Sequence, residues 1–384
     1  MPLDPFFRER LRNHRRYLAA QAWKGLTAKL SSQLSGWRVL PLAEVRSPAA
    51  EGMPAGAAAS VTSVPAVGSP AGSGSGAGSG SGAGKRAATP RERHRRAALQ
   101  WDRTELRTVG LPGPEMATSE HVVAVAGQPD VRVRVYRPAS AGASAPACLV
   151  LAGGAFRIGG IDYPTADAAC RRRADRSGVV LVAVDYALAP ERRYPTQPEQ
   201  VYAAWGWLHA NAAELGIDPR RVGVNGTSAG GCLAASLTLM LRDRGGPQAA
   251  LQVLEVPVTD LTGRWIDLRP TYALGIPAVL AVRELVSVAR TYLGDVGGDR
   301  AREPYASPMR APSHADLPPA VVLTAEYDPL RRDGATYAAK LRADGVEASA
   351  TRYLGVTHDV PLYVGALPAA RRWEDEVVAA LRRL

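Results

Sequence analysis

The chain has 384 residues and a composition ordinary for a globular protein, with 46% hydrophobic residues. This length is enough to bury a sizeable core in one large domain or in two small ones. The formal charge of +11 could suggest a nucleic-acid partner, but +6 of it lies in residues 1–46, +5 in residues 85–108 and only +1 beyond residue 108. We therefore expect no nucleic-acid partner for the main body of the chain.

Cysteine usage argues against two kinds of small scaffold. The three cysteines are scattered, odd in number and without Cys-x-x-Cys spacing, at Cys148, Cys170 and Cys232. This pattern fits neither a disulfide framework nor a zinc knuckle. We expect the three side chains to pack as small apolar groups, and we expect no bound metal.

Residues 1–46 are interpreted as a basic helical arm. Apolar residues recur at helical spacing within residues 6–33 and most basic residues fall elsewhere, which predicts a basic amphipathic helix. A helix that packs over the rest of the protein or stays in solvent is the favoured interpretation, and contact with an anionic membrane surface is the alternative. Because the sequence carries no apolar leader and no long uncharged apolar run, a cytoplasmic protein is expected.

Residues 47–90 are rich in Ala, Gly, Ser and Pro. The hexapeptide GSGSGA occurs twice in succession at 72–83, and no apolar periodicity survives in this stretch. Without apolar burial nothing offsets the entropy lost on ordering the chain. We predict a flexible linker between the arm and residues 91–384.

From residue 91 onward, helix and strand patterns alternate. A short basic helix is predicted at 91–101, and alternating runs at 121–126 and 131–136 predict a hairpin. Further strands are predicted at 148–151, 179–184, 222–224, 251–256, 321–325 and 348–353, and helices at 165–176, 197–214, 229–243, 333–344 and 369–383. The alternation is typical of an α/β domain, with a mostly parallel central sheet and helices on both faces.

One interval breaks this alternation. Some sixty residues separate the predicted strands 251–256 and 321–325, and they contain an apolar stripe at Val279, Val282, Val286, Ala289 and Leu293. An interval of this length is too long for a simple crossover. We predict a helical cap inserted at about residues 262–295.

A glycine-bounded serine follows the predicted strand 222–224. Ser228 lies between Gly226 and Gly230, and a helix of small residues comes next. Glycines on both sides relieve the crowding of a sharp strand-to-helix turn, and such a turn lifts the serine hydroxyl above the sheet. The first N–H groups of the helix then point toward whatever bonds to that oxygen. Ser228 is the candidate nucleophile.

A serine nucleophile needs a histidine base that is oriented by a carboxylate. Of the six histidines, only His358 follows a predicted strand end, and Gly355 lets its loop turn back. Asp328 follows the strand 321–325 and is favoured as the acid. Two neighbouring carboxylates, Glu326 and Asp333, are expected to be solvated or to cap the helix that follows.

Four separated motifs resemble the bacterial hormone-sensitive-lipase-like esterases of the α/β-hydrolase fold, in the branch with GTSAG. They are DYALAPE at 185–191, GTSAGG at 226–231, YDPL followed by Asp333 and Gly334 at 327–334, and the loop that ends at His358. The likeness covers roughly residues 91–384. It implies a carboxylesterase with a cap, with Ser228, Asp328 and His358 as the triad, and with neither a metal nor an organic cofactor.

The chain departs from that family at the oxyanion loop. The family carries His-Gly-Gly-Gly where this chain has AGGA at 152–155. Backbone donors survive an alanine, so the expected oxyanion hole comprises Gly153, Gly154, Ala155 and Ala229. However, alanine restricts the dihedral angles that glycine allows, and the histidine that would steady the loop is absent. The neighbour of the base, Asp359, adds a carboxylate, for which three alternatives stay open: raising the pKa of His358, selecting a cationic substrate, or facing solvent.

Two functional hypotheses follow. The first is a serine hydrolase, of carboxylesterase or deacetylase type, that cleaves small to medium acyl esters through an acyl-enzyme. The second, motivated by the altered loop, is an acyltransferase or cyclase of a biosynthetic reaction, or a ligand binder. The first needs only a small-molecule ester as partner. The sequence leaves the oligomeric state and the acyl and alcohol preferences open.

Overall fold

The computed structural model describes residues 2–12, 88–294 and 299–384. The chain divides into two units, residues 1–61 and residues 62–384. In the first unit, residues 5–12 are helical (α1), and the Asp4 carboxylate accepts the N–H of Phe6 at 2.9 Å at the start of this helix. The rest of the helix predicted within 6–33 and nearly all of the predicted linker lie outside the described residues.

The second unit contains eight strands and eight α-helices in its described part. The strands are Ala117–Val123 (β1), Val131–Arg137 (β2), Ala145–Leu151 (β3), Val180–Asp185 (β4), Ile217–Thr227 (β5), Gln252–Glu255 (β6), Ala320–Tyr327 (β7) and Ala348–Thr357 (β8). The helices are Pro90–Thr108 (α2), Pro164–Ser177 (α3), Thr196–Ala210 (α4), Ala229–Arg244 (α5), Arg269–Ala273 (α6), Ala278–Leu293 (α7), Arg331–Ala343 (α8) and Pro368–Leu381 (α9).

The eight strands form one sheet in the order β1-β2-β4-β3-β5-β6-β7-β8. β2 runs antiparallel to both of its neighbours, and every other neighbouring pair is parallel. The predicted hairpin and the predicted parallel sheet are therefore confirmed. The carboxyl ends of the parallel strands meet at one edge, which is where loops of α/β sheets place functional side chains.

Helices cover both faces of the sheet because the strand residues alternate between two apolar surfaces. One core cluster takes alternate residues of the central strands, such as Leu149 and Leu151 of β3, together with Trp205 of α4 and Leu233 of α5. The strand residues between them, such as Cys148, face the other side, where α3 packs against α9. All three cysteines are buried and free, as predicted.

Element boundaries differ from the predictions mostly by a few residues. The helix predicted at 91–101 begins at Pro90 and continues to Thr108, and its first turn has a reciprocal capping box between Thr89 and Glu92. The helix predicted at 197–214 ends at Ala210. β8 extends to Thr357, so His358 follows the strand directly.

In the described residues, no helix combines the length and apolarity that crossing a membrane requires.

Helices α6 and α7 lie between β6 and β7, where the sequence predicts an insertion. The apolar stripe of α7 is exposed over the first half of the helix and buried only at its C-terminal end. Its side chains are exposed at Val279 (69%), Val282 (39%) and Val286 (38%), and the helix is buried at its last turn, at Tyr292 and Leu293. The opposite face of α7 carries Glu284, on the side away from the exposed valines.

Candidate active site

Ser228 lies in a sharp turn between β5 and α5, with backbone angles φ 54° and ψ −112°. Such angles are sparsely populated by non-glycine residues and cost on the order of 1–3 kcal/mol. Both flanking glycines are required: a Cβ on Gly226 would lie 2.1 Å from the carbonyl oxygen of Gly230, and one on Gly230 would lie 2.0 Å from that of Leu151. The local sequence therefore makes the turn possible, and the turn exposes the hydroxyl.

Backbone hydrogen bonds hold Ser228 in this strained geometry. Its N–H donates to the carbonyl oxygen of Glu255 at 2.8 Å, and its carbonyl accepts from Cys232 N at 3.1 Å and from Val258 N at 3.3 Å. The strand β6 and the start of α5 thus fix the turn from two sides. The serine keeps its conformation because the surrounding backbone determines it.

The three candidate triad side chains meet above this edge of the sheet. His358 Nε2 lies 3.0 Å from Ser228 Oγ, and His358 Nδ1 lies 2.8 Å from Asp328 Oδ2. Asp328 is 1% exposed, and its other oxygen accepts Leu330 N at 2.8 Å. A carboxylate can only accept, so in the neutral form of His358 the proton lies on Nδ1, and Nε2 can then accept from the serine hydroxyl.

The acidic neighbours of His358 set its basicity. Burial alone would lower the pKa of His358, but the charge of Asp328, its hydrogen bond and the charge of Asp359 outweigh burial and raise the pKa to about 9. The side chain is 29% exposed, so a substrate can reach the ring. The expected effect of Asp359 on the base is therefore present in the structure.

The competing carboxylates have other partners. Glu326 accepts Gly355 N at 2.7 Å. The predicted loop at Gly355 is instead part of β8, where Gly355 has a φ of 75°, three residues before His358. The expectation that Asp333 is solvated or caps a helix is wrong: its side chain is 1% exposed, within α8, and accepts the N–H groups of Thr259 and Asp260 at 3.0 and 3.2 Å. The pKa of Asp333 is raised to about 7. Burial is the main cause, and the charges of Asp260 and Asp328 add to it, while the two hydrogen bonds act in the opposite direction.

The loop after β3 runs beside the serine. A Cβ on Gly153 would lie 3.4 Å from Ser228 Cβ. Gly154 (φ 135°) and Ala155 (φ 53°) both have positive φ, and a Cβ on Gly154 would lie 2.0 Å from the carbonyl oxygen of Ile158. Gly154 therefore cannot be replaced, whereas Ala155 adopts the left-handed conformation at a cost of about 1–2 kcal/mol. The alanine does not prevent the turn.

The four predicted oxyanion donors have no protein acceptor among the described residues, and the loop that carries three of them lies beside the serine. Within residues 88–294 and 299–384, the N–H groups of Gly153, Gly154, Ala155 and Ala229 donate to no carbonyl or side chain. Ala229 is the first residue of α5, where the helix dipole is positive. These donors suit an anionic oxygen that develops next to Ser228.

A buried polar network behind Ser228 escaped the sequence reasoning. The carboxylate of Glu255 is fully buried and accepts from five groups: both terminal nitrogens of Arg173, Trp373 Nε1 (2.7 Å), Asn225 Nδ2 (3.1 Å) and Thr227 Oγ1 (3.3 Å). A lone glutamate within an apolar strand run at 251–256 was a signal for such a partner, because an unpaired buried carboxylate is costly. The sequence did not identify Arg173 as that partner.

The geometry of Ser228, His358 and Asp328 is that of a serine hydrolase. Comparison with known proteins agrees: a family model for the α/β hydrolase fold matches residues 148–362. The carboxylesterase NlhH of Mycobacterium tuberculosis is 35% identical over 73% of this chain and 88% of its own length. The ethyl acetate hydrolase of Pseudomonas putida is 38% identical over 59% of this chain and 70% of its own length.

Solved structures agree as well. The thermophilic carboxylesterase EstE1, cloned from a metagenomic library, has a TM-score of 0.69 and 36% identity over 77% of this chain and 97% of its own. The chain belongs to the hormone-sensitive-lipase-like esterases of the α/β-hydrolase fold. It is a serine ester hydrolase, as the first of the two functional hypotheses predicted.

Proposed function

We propose that this protein cleaves small to medium acyl esters through an acyl-enzyme on Ser228. The observation that carries the proposal is the continuous chain of two hydrogen bonds, 3.0 Å from Ser228 Oγ to His358 Nε2 and 2.8 Å from His358 Nδ1 to Asp328. The similarity to an ethyl acetate hydrolase, whose named substrate has a two-carbon acyl group, supports the acyl size.

In the first half-reaction Ser228 Oγ attacks the ester carbonyl carbon while its proton passes to His358 Nε2. Asp328 keeps its charge and stabilises the imidazolium that forms. The carbonyl oxygen becomes an oxyanion, which the N–H groups of Gly154, Ala155 and Ala229 bind. When the carbon–oxygen ester bond breaks, the alcohol leaves with the proton from His358, and the acyl group stays on Ser228.

In the second half-reaction water replaces the alcohol. His358 takes a proton from the water as its oxygen attacks the acyl carbon, and the same donors bind the new oxyanion. Collapse of this intermediate returns the proton to Ser228 and releases the carboxylic acid. Gly153 lies beside Ser228, since a Cβ at this position would lie 3.4 Å from Ser228 Cβ. The alternative hypothesis of an acyltransferase, a cyclase or a ligand binder rested on the AGGA loop at 152–155. We do not propose it, because that loop still carries free backbone donors beside Ser228.

Hydrolysis of p-nitrophenyl esters with two to sixteen acyl carbons tests the proposal. We expect the highest kcat/KM at short and medium chains and loss of turnover in the Ser228→Ala variant. Wild-type rates no higher than those of Ser228→Ala would contradict the proposed nucleophile. A maximum at the longest chains would contradict the proposed acyl size.

The predicted cytoplasmic location is part of the proposal. The three cysteines are free and buried, which suits a compartment that keeps thiols reduced. Cell fractionation with an antibody to the protein is the test, and recovery in the soluble cytoplasmic fraction is the expected result.

A further inference from the structure

The loop that carries two of the oxyanion donors is strained and needs external support. Gly154, Ala155 and Phe156 form three consecutive residues with positive φ, at 135°, 53° and 59°. Left-handed backbone costs about 1–2 kcal/mol at each non-glycine residue. The loop's own hydrogen bonds, from Arg157 N and Ile158 N to the carbonyl of Gly154, close the turn but do not fix it to another element. Ala152 offers no polar side chain that could brace it.

Helix α7 of the insertion provides one support. The guanidinium of Arg157, the next residue after the strained run, forms an ion pair with Glu284 and donates to Ser287 Oγ at 3.2 Å. This pair is largely withdrawn from solvent, with side-chain exposures of 8% for Arg157 and 18% for Glu284. Near the C-terminal end of α7, the ring of Tyr292 stacks on that of Phe156 at 3.8 Å between centroids. The face of α7 opposite its exposed valines therefore holds the loop.

Helix α2 provides a second support, from the backbone side. Arg95 Nε donates to the carbonyl of Arg157 at 3.0 Å, and Arg95 Nη2 donates to the carbonyl of Ala189 at 3.2 Å. Arg95 also pairs with Glu191 at 2.6 Å. Ala189 N in turn donates to the carbonyl of Phe156 at 2.8 Å. Residues 156 and 157 are thus fixed by contacts from three elements that are distant in sequence.

From these contacts we infer that Arg157, paired with Glu284, is a positioning residue for ester hydrolysis. The ion pair holds the loop so that the N–H groups of Gly154 and Ala155 face the carbonyl oxygen bound at Ser228. The inserted helix α7 therefore sets the geometry of the oxyanion hole. The planar guanidinium of Arg157 is held at two nitrogens, by Glu284 and by Ser287. Its fork geometry therefore fixes both the orientation and the distance of the loop relative to α7. The inference rests on the proposed function.

The direct test compares Arg157→Leu, Glu284→Gln and the charge-swapped double variant Arg157→Glu/Glu284→Arg. For each single variant we expect kcat on p-nitrophenyl butyrate to fall about ten- to a hundredfold, less than the 10²–10³ lost with a deleted donor. KM should change less than threefold. Affinity for a trifluoromethyl ketone, which forms a tetrahedral adduct on the serine, should fall in parallel with kcat. The double variant should recover at least threefold in kcat over either single variant.

A matched control comes from an ion pair far from the site. Arg244, at the other end of α5 from Ser228, pairs with Glu199 at 2.7 Å, and Arg244→Leu should leave kcat unchanged. If Arg157→Leu and Glu284→Gln lower only the melting temperature, while kcat per folded molecule and ketone affinity match the wild type, the inference is overturned. Glu284→Gln keeps the side-chain shape, so it stays informative even if Arg157→Leu does not fold. Wild-type turnover equal to that of Ser228→Ala in the same assay would instead overturn the proposed function.

Discussion

The carbonyl oxygen of Glu255 accepts the N–H of Ser228 at 2.8 Å, while the buried carboxylate of the same residue pairs with Arg173 at 2.8 Å. Glu255 thus joins the strained turn to a buried ion pair. The side chain of Arg173 is 7% exposed and that of Glu255 is 0% exposed. Thr227, which precedes the serine, also donates its hydroxyl to this carboxylate. The turn and the buried ion pair form one structural unit.

Breaking this ion pair from one side should destabilise the fold. Arg173→Leu leaves the carboxylate of Glu255 buried without its cation, and we expect the free energy of unfolding to fall by about 3–5 kcal/mol. The double variant Arg173→Leu/Glu255→Leu removes both charges and should be markedly more stable than Arg173→Leu alone. Urea unfolding of the three proteins measures both differences. Equal stability of the single and double variants would contradict the role of the unpaired charge.

The pH dependence of hydrolysis should follow His358. A base works only when neutral, and the pKa of His358 is raised to about 9 because the charges of Asp328 and Asp359 outweigh burial. We therefore expect kcat/KM to rise by about tenfold per pH unit below pH 9 and to level off above it. Asp359→Asn removes one of the charges and should move the midpoint to lower pH. A wild-type profile already level at pH 7 would contradict this assignment, and Ser228→Ala supplies the blank rate.

Two neighbouring loop positions should respond in opposite ways. Gly154→Ala places a Cβ 2.0 Å from the carbonyl oxygen of Ile158, at a φ of 135° that alanine does not tolerate. The displaced loop should cost at least about 10² in kcat. Ala155→Gly is the matched control, since glycine accepts a φ of 53° without strain, and its kcat should stay within about threefold of wild type. Steady-state kinetics on p-nitrophenyl butyrate distinguishes the two, and similar losses in both would contradict the role of the loop.

The buried Asp333 should make stability depend on pH. Its pKa is about 7 in the folded chain, because burial raises it and the nearby charges of Asp260 and Asp328 add to that effect. An aspartate in the unfolded chain has its ordinary pKa near 4, so the folded state binds more protons between about pH 4 and 7, and stability falls as pH rises through this window.

The variant Asp333→Asn isolates this effect. Asparagine keeps an oxygen for the N–H groups of Thr259 and Asp260 but does not titrate. Relative to wild type, the variant should gain on the order of a few kcal/mol in unfolding free energy between pH 4 and pH 8. Urea unfolding at both pH values is the measurement, with the exposed Asp130→Asn as the control for a lost charge. A constant difference between Asp333→Asn and wild type would contradict the raised pKa.

Local sequence patterns were enough to predict the fold class and to predict that Ser228, Asp328 and His358 lie close together. The glycines around Ser228 and Gly355 before His358 are short-range patterns, and the strand order then brings residues that follow distant strands to one edge. The predicted fold class and ester-hydrolase activity are confirmed. Pro329, which follows Asp328, lies two residues beyond the end of β7 at Tyr327.

The remaining features depend on which distant surfaces pack together. Arg157 and Glu284 are 127 residues apart, and no pattern in either segment identifies the other. The prediction that Asp333 is solvated or caps a helix was wrong because residues 259–260 pack over its side chain. A helix pattern in the sequence does not show which distant loop will pack on the helix. The exposure of the α7 valines was not predictable either, because apolar periodicity predicts a helix face without telling what that face contacts.

Labelling with a fluorophosphonate is the most direct test of the central claim, that His358 and Asp328 activate Ser228 for ester cleavage. Peptide mass spectrometry should find the adduct on Ser228 alone, and esterase activity should fall in proportion to the labelled fraction. The His358→Ala variant should label at least about 10² times more slowly. Full hydrolysis by a protein whose Ser228 is completely labelled would contradict the account.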